Sequence, residues 1–332
     1  MPRNYHVAIV GATGAVGIEL LRVMERRNFP VANLRLLASP RSAGKRLAFR
    51  GQEFSVAALG QDSFAGIDLA FFSAGAGPSK QFAPIAQRAG AVVIDNSSAF
   101  RMDEAVPLVI PEINPEDIRA HQGIIANPNC TTAVASMALY PLHRAFGLRR
   151  VFAASYQAVS GSGARAIEEL QRQVEATVRG DEAIVEVYPH QIAFNALPHV
   201  DSFLEDGYTR EEMKLQYEGR KMMHLPNFRA SVTCVRVPVY RAHSLAMSAE
   251  FERPVSVGAA RDVLAKAPGL DLIDEPRSNA YPTPLAAAGK DNCQVGRLRI
   301  DCALENGLAL WVAGDQLLKG AALNAVQIAE LL

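Results

Sequence analysis

His6-Val7-Ala8-Ile9-Val10-Gly11-Ala12-Thr13-Gly14-Ala15-Val16-Gly17-Ile18-Glu19-Leu20-Leu21 carries two hydrophobic periods joined by a glycine-rich break. Its first five residues read as a short buried strand, and the apolar run breaks at Gly11 into a glycine loop. Beyond the loop Gly17, Leu20, Leu21 and Met24 recur at helical spacing, while Glu19, Arg22, Glu25 and Arg26 take the wet face. Strand, glycine loop and helix in that order open a doubly wound α/β sheet, and the loop offers backbone N–H groups and a positive helix end to a pyrophosphate. The spacing is GxxGxxG, without the central glycine of the dinucleotide fingerprint, so a plain tight turn into a packed helix is the competing reading.

Further strands are expected at 34–38, 68–72, 91–95 and 124–127, with a helix near 79–89. After residue 128 longer alternating runs follow, at 150–159, 230–239, 243–251, 293–300 and 307–313. Helices are expected at 131–146, 163–179, 209–223, 256–266 and 317–331. The fold class is therefore α/β, with an N-terminal Rossmann-like doubly wound parallel sheet and a C-terminal α+β domain whose sheet is largely antiparallel or mixed. The expected boundaries are 1–128, rejoined by a C-terminal helix at about 316–332, and 129–315.

The whole chain has 332 residues, 34 basic and 34 acidic side chains, 49% hydrophobic and 20% charged residues. That composition excludes a disordered chain, and the balanced charge gives no reason to expect a nucleic-acid or polybasic membrane partner. No window approaches the roughly 18 apolar residues of a membrane span, so neither an anchor nor a signal peptide is expected. Cysteines at 130, 234, 293 and 302 show no CxxC spacing, and the histidines form no HxxxH or HExxH pair. A reducing cytoplasm without disulfides, and no metal, is the expectation.

The end of the second strand indicates the dinucleotide. Its sequence is Ala38-Ser39-Pro40-Arg41-Ser42, and no carboxylate occurs between Glu25 and Glu53. NAD would use an acidic group there for its ribose hydroxyl, whereas a cation with hydroxyls suits the 2′-phosphate of NADP. The competing reading makes Arg41 a solvated loop cation.

Asn127-Pro128-Asn129-Cys130-Thr131-Thr132 follows a strand and leads into the apolar helical run 133–142. Pro128 favours an extended Asn127, and Asn129 suits an N-cap, which puts Cys130 in the first turn. A thiol there meets free N–H groups and the helix dipole, which favour the thiolate and can also stabilise an oxyanion. An inert buried cysteine is the competing reading, and it fits Cys234, inside the strand 232–237, better. His243 lies in a polar turn between two apolar strands and can serve as acid or base, although any single histidine is more often a surface or satisfied residue. Arg236 interrupts an apolar strand and calls for an anion, either a substrate carboxylate or a structural Asp or Glu. Glu218 and Lys221 stand at i, i+3 on one helix, where a solvated surface pair is the plain reading.

Taken in order along the chain, these pieces resemble the bacterial aspartate-semialdehyde dehydrogenase family. The resemblance rests on 11–17, 37–44, 95–101, 127–132, Gln157 with Ser160-Gly161, 191–195, 234–238, 242–244, 295–297 and 317–321. It implies NADP-dependent, reversible, phosphorylating oxidation of L-aspartate 4-semialdehyde to L-4-aspartyl phosphate through a Cys130 thioester, toward lysine, threonine and methionine. Carried onto this sequence, it makes Cys130 the nucleophile and His243 the acid/base, with Gln157 orienting the substrate. Arg236, Glu218 and Asn129 then bind substrate, Arg101 and Lys221 hold phosphate, and the second domain is catalytic and dimerising, in a homodimer or homotetramer. The cofactor set is Gly11, Ala12, Thr13, Gly14, Ala15, Val16, Ser39, Arg41, Ser42, Ser160, Gly161 and Gln316. Pro40 and Gly219 depart from the family pattern; the second could loosen the helix that carries Lys221. Other readings are an N-acetyl-glutamyl-phosphate reductase or glyceraldehyde-phosphate dehydrogenase type of enzyme, or a non-catalytic nucleotide-binding relative.

Overall fold

The structure is a computed structural model that describes residues 4–332, so positions 1–3 of the expected first domain lie outside the described residues. The chain divides into two compact units, one running to Asn129 and taking back Ala321–Leu332, the other spanning Cys130–Gly320.

The first unit begins as its sequence pattern requires. Strand β1 (Tyr5–Val10), helix α1 (Ala15–Arg26) and strand β2 (Val31–Ala38) form a parallel βαβ unit. Val7, Ala8, Ile9 and Val10 are completely buried, as a parallel strand covered on both faces must be. Helix α1 buries Leu20, Leu21, Val23 and Met24. Glu19, expected on the wet face, is buried as well, with its carboxylate held by Arg22 at 2.9 Å.

Strands β3 (Arg46–Phe49) and β4 (Gln52–Ala58) form a hairpin that the sequence reading missed. Its turn is Arg50-Gly51, both at positive φ, and arginine is not a residue that announces such a turn. Next come β5 (Leu69–Phe72), helix α2 (Ala76–Arg88), β6 (Val92–Asp95) and β7 (Ile124–Ala126). The order is β3-β4-β2-β1-β5-β6-β7, and every neighbouring pair is parallel except β3 with β4. The expected Rossmann-like sheet is present, and the chain reverses its direction of travel across the sheet at β1. Ligands bind such sheets at that switch, beyond the carboxyl ends of the strands.

The second unit contains helix α3 (Cys130–Phe146), strand β8 (Leu148–Gln157), helices α4 (Ala164–Arg179) and α5 (Arg210–Met222), and strands β9 (Arg229–Arg236) and β10 (His243–Phe251). Helix α6 (Val257–Leu264), strand β11 (Leu270–Leu272), a four-residue helix α7 (Pro284–Ala287) and strands β12 (Cys293–Ile300) and β13 (Gly307–Gly314) complete it. The sheet order is β11-β12-β13-β10-β8-β9, with β8/β9 and β11/β12 parallel and the remaining pairs antiparallel. This is the mixed sheet expected; β11 and α7 are too short to carry a periodic signal. Strand β9 ends at Arg236 rather than at 239, because Pro238 has no N–H to continue a ladder.

The single helix expected over 317–331 is two structures. Leu318–Ala322 is a π-turn, and only Leu323–Glu330 is α-helical, as α8. Within the first unit α8 sends Asn324 Nδ2 to Asn127 Oδ1 at 2.6 Å and to the Val109 carbonyl at 2.9 Å. The segment before Cys130 is thereby tied to the end of the chain. Among the described residues no helix is long and apolar enough to cross a membrane.

Candidate active site

Cys130 is the first residue of α3 and is partly exposed, whereas Cys234 and Cys293 are buried. From Thr131 to Leu139 every residue of α3 is buried, so the helix is immobilised and its N-terminus is a fixed electrostatic feature. Gly320, in the π-turn, lies so close that a Cβ there would stand 2.7 Å from Cys130 Cβ and 3.1 Å from its Cα. Cys234 is a different kind of thiol. Burial, reinforced by Glu211, pushes its pKa up to about 12, which keeps it protonated and inert.

Three neighbouring strands each carry one polar side chain at the same end of the sheet, and the first of them reaches α3. Gln157, the last residue of β8, pairs in register with Arg236, the last of β9. His243 starts β10, whose Ser244 lies opposite Tyr156 of β8. Gln157 Nε2 donates to Thr131 Oγ1 at 2.5 Å, which binds β8 to the residue after the thiol. Gly161 marks where the others converge: a Cβ there would lie 3.0 Å from Arg236 Nη1 and 3.3 Å from His243 Nε2. Gln157 Oε1, Arg236 Nε and His243 Nε2 are all buried with no hydrogen-bond partner among the described residues. An acceptor, a cationic donor and an imidazole nitrogen left unpaired side by side cost stability, and each would be satisfied by a small polar ligand.

Arg236 is 5% exposed, donates Nη1 to the Ala158 carbonyl at 2.7 Å and stacks 5.9 Å from the Tyr188 ring. Among the described residues no carboxylate pairs with it, so the structural-Asp/Glu reading of this arginine fails. Tyr188 gave no sequence signal, because a lone tyrosine in an irregular segment has no pattern.

His243 is wholly buried and its Nδ1 accepts the Ala158 N–H at 3.0 Å. The proton of the neutral ring therefore sits on Nε2, pointing toward Arg236 and Gly161. Burial, with the nearby Arg236 charge, pushes its pKa down to about 3 from the ordinary 6.5. The folded protein then binds fewer protons than the unfolded chain between those values. Stability present above pH 6.5 is lost as pH falls toward 3, with a slope approaching about 1.4 kcal/mol per pH unit. Urea unfolding between pH 7 and pH 5 should show this slope in the wild type and a shallower one in His243→Asn. Equal slopes would mean that His243 is not held neutral.

The turn that aims His243 is itself constrained. Ala242 has φ +73, a left-handed conformation rare for alanine. Its N–H donates to Gln316 Oε1 at 2.7 Å, and Gln316 Nε2 hydrogen-bonds Ser160 Oγ. Arg241 Nε meets Asp315 Oδ2 at 2.6 Å, with the Gly289 N–H on the same oxygen. Ser160, Gly161 and Gln316, expected against a cofactor, are thus gathered around His243 within one unit.

Helix α5 starts with the capping box Thr209/Glu212 and carries Glu218, buried, and Lys221, half-buried. A surface pair does not describe a buried Glu218. Gly219, suspected of loosening this helix, is packed: a Cβ there would meet the Phe228 ring at 3.1 Å. Close approach to Phe228 accounts for the glycine.

In the first unit the loop between β1 and α1 fits a dinucleotide. Gly11 has φ +86, and a Cβ would overlap the Ser73 carbonyl at the end of β5; a Cβ on Gly17 would overlap the Gly11 carbonyl. Gly14 is the N-cap of α1 and has no side-chain cap, leaving first-turn N–H groups at Ala15 and Val16 for an anion. Ala12 is buried beneath the loop, while Thr13 is half-buried on it. Ser39, Arg41 and Ser42 follow β2, with Arg41 exposed on the short 3-10 turn Pro40–Ser42. Arg101 is buried, its Nε donating to the Asn127 carbonyl at 2.9 Å and its Nη2 to the Asn96 carbonyl at 2.8 Å. Asn129 is also buried.

Residues 6–121 match the family description "Semialdehyde dehydrogenase, NAD binding domain" and residues 139–319 match "Semialdehyde dehydrogenase, dimerisation domain". The chain is similar to the aspartate-semialdehyde dehydrogenase of Aquifex aeolicus, 55% identical over 99% of this chain and 98% of the relative. That of Synechocystis is 51% identical over 100% and 98%. Among solved structures, aspartate semialdehyde dehydrogenase II from Vibrio cholerae, complexed with ASA, superimposes with a TM-score of 0.97 at 44% identity, covering 99% of this chain and 98% of that one.

Proposed function

The chain belongs to the aspartate-semialdehyde dehydrogenase family, and on that premise we propose that it carries out NADP-dependent, phosphate-dependent, reversible oxidation of L-aspartate 4-semialdehyde to L-4-aspartyl phosphate through a Cys130 thioester. The product would feed lysine, threonine and methionine synthesis in the cytoplasm. The observation that carries this reading is the set of three buried, unpaired polar groups on neighbouring strands, one of them on Gln157, which hydrogen-bonds Thr131, the residue after a partly exposed thiol at a helix start.

The Cys130 thiolate adds to the aldehyde carbon, forming the C–S bond while the carbonyl electron pair moves to oxygen. First-turn N–H groups of α3 and the Nε2–H of His243 are the donors for that oxygen. Arg236 takes the substrate carboxylate in a planar fork, and Gln157 with Glu218 and Asn129 orients the amino-acid end. A dinucleotide held by Gly11, Ala12, Thr13, Gly14, Ala15 and Val16, with Ser160, Gly161 and Gln316 against it, supplies a hydride acceptor when bound. Phosphate, held by Arg101 and Lys221, opens the thioester, and the electron pair of the broken C–S bond returns to sulfur. As acid/base, His243 takes the proton that the Cys130 thiol gives up, its Nδ1 releasing the Ala158 N–H as the ring becomes imidazolium, and in the reverse direction it passes that proton to the departing phosphate.

Phosphate dependence tests this directly. With aldehyde and NADP but no phosphate, reduced cofactor should stop near one equivalent per chain, and peptide mass analysis should place the acyl group on Cys130. Steady turnover without phosphate would overturn the phosphorylating reading, and faster use of N-acetyl-glutamate semialdehyde or glyceraldehyde 3-phosphate would favour the other enzyme types.

The assignment of NADP rests on Ser39, Arg41, Ser42 and the absent carboxylate. Arg41→Ala should weaken NADP by a charge-assisted contact of about 1.5–3 kcal/mol and leave NAD nearly unchanged. Equal weakening of both, by fluorescence titration, would remove Arg41 from recognition of the 2′-phosphate.

Self-association is assigned to the second sheet. Its outward face shows Phe152, Thr233, Ala246 and Trp311, with Phe152 46% exposed. We take that face to form a homodimer, alone or within a homotetramer; a monomer by light scattering would exclude it.

A further inference from the structure

Gln157 is held in one orientation of its amide by a group that the proposed chemistry does not use. Glu211, on the first turn of α5 and 8% exposed, accepts the Gln157 Nε2–H at 2.9 Å through Oε1. Its other oxygen takes Lys214 Nζ at 2.7 Å, and Lys214 also reaches Asp201 Oδ2 at 3.0 Å. Although burial works against its charge, Glu211 and Asp201 raise the pKa of Lys214, so the ammonium stays charged and forms an ion pair with the Glu211 carboxylate. An ionised carboxylate only accepts hydrogen bonds. The nitrogen of Gln157 must therefore face Glu211 and Thr131, and its oxygen must face the other way. That oxygen is the buried Oε1 without a partner, on a residue 1% exposed.

The register gives the oxygen a purpose. Gln157 and Arg236 are paired residues of adjacent parallel strands, so their side chains project from the same face of the sheet about 4.8 Å apart. A cationic donor and a neutral acceptor at that separation match an α-carboxylate and an α-ammonium on one carbon. We propose that Glu211 is a positioning residue that locks Gln157 as an acceptor for the substrate's α-ammonium, so that the pair Glu211–Gln157 selects amino aldehydes over the same aldehydes without an amino group. This rests on the aspartate-semialdehyde reading above.

Reversing the polarity tests it. In Glu211→Gln the new amide oxygen is claimed by Lys214, its nitrogen turns to Gln157, and Gln157 must flip to present N–H groups to the substrate cation. For L-aspartate semialdehyde kcat/KM should fall roughly 10- to 100-fold, the size of one lost charge-assisted contact, while the aldehyde lacking the amino group should change less than about 3-fold. The double variant Glu211→Gln/Gln157→Glu keeps the same net charge and again offers an oxygen to the site, so selectivity for the amino aldehyde should return to at least about a third of wild type. A residue that merely supports the fold would not be rescued in this way.

Equal loss for both aldehydes in E211Q, or no recovery of the ratio in the folded double variant, would overturn the assignment. If E211Q does not fold, Glu211→Asp, which keeps the charge one methylene further back, should still lower the ratio about 3-fold or more, and an unchanged ratio there would overturn it equally. A wild-type protein that fails to turn over L-aspartate semialdehyde would instead sink the proposed function, so the two failures are distinguishable.

Discussion

Cys130→Ala is expected to abolish turnover, by on the order of 10^4-fold or more, with NADP binding and the unfolding midpoint left close to wild type. No other described cysteine can substitute. Cys234 is protonated by burial, Cys293 is buried in β12, and Cys302 stands exposed just beyond that strand. Cys234→Ala provides the opposite control: it should retain turnover and lose only packing. Because the thioester is proposed to be the sole route by which oxidation energy reaches phosphate, no partial pathway should survive in the first variant. Substantial reduced-cofactor formation by Cys130→Ala, followed at saturating aldehyde, phosphate and NADP, would eliminate covalent catalysis.

Gly320→Ala is expected to have the second largest effect, although residue 320 carries no functional group. Its added methyl would sit 2.7 Å from Cys130 Cβ and 3.1 Å from Cys130 Cα. Backbone at the start of a fully packed helix cannot yield as a flexible side chain would, so the thiol and the first-turn N–H groups must shift together. A displacement approaching 1 Å at reacting atoms costs about 100-fold in kcat/KM, and the overpacking itself about 1–3 kcal/mol of stability. Gly258→Ala is the matched control, since nothing among the described residues lies within 4 Å of a Cβ there and the residue is exposed on α6. It should be neutral or stabilise by up to about 1 kcal/mol. Near-wild-type kinetics in Gly320→Ala, by initial rates alongside a urea titration, would show that the π-turn does not hold the thiol in place.

The π-turn also illustrates where a sequence reading meets its limit. Residues 317–331 are mostly apolar and helical in pattern, and the single Gly320 within them does not by itself distinguish a π-turn at 318–322 from one continuous helix. The distinction comes from Cys130, almost two hundred positions earlier, against which the Gly320 backbone must fit. In the hairpin of β3 and β4 the local signal itself was weak, since neither strand alternates cleanly and arginine occupies the first turn position. Glu19 shows a third kind of miss. Helical periodicity placed it on the solvent face, whereas the partner on its own helix, Arg22, allows the carboxylate to be buried.

By itself, the sequence determined the strand, loop and helix order of the first unit, the mixed sheet of the second, and the placement of Cys130 in the first turn of α3. These follow from backbone rules that act over a few residues: the period of apolar positions, the conformational freedom of Gly11, and the extended preference imposed on Asn127 by Pro128. It also selected Gln157, Arg236 and His243, through resemblance and through residue types that sit uneasily in apolar strands. Tertiary structure alone decided what those side chains have left to offer. The proton of His243 sits on Nε2 because Ala158 occupies Nδ1. Gln157 turns its oxygen away from Glu211 because Glu211 occupies its nitrogen, and Arg236 keeps an unpaired Nε because no carboxylate among the described residues pairs with it. Each depends on counting hydrogen-bond partners across segments distant in the chain, a count that exists only once the strands are in register.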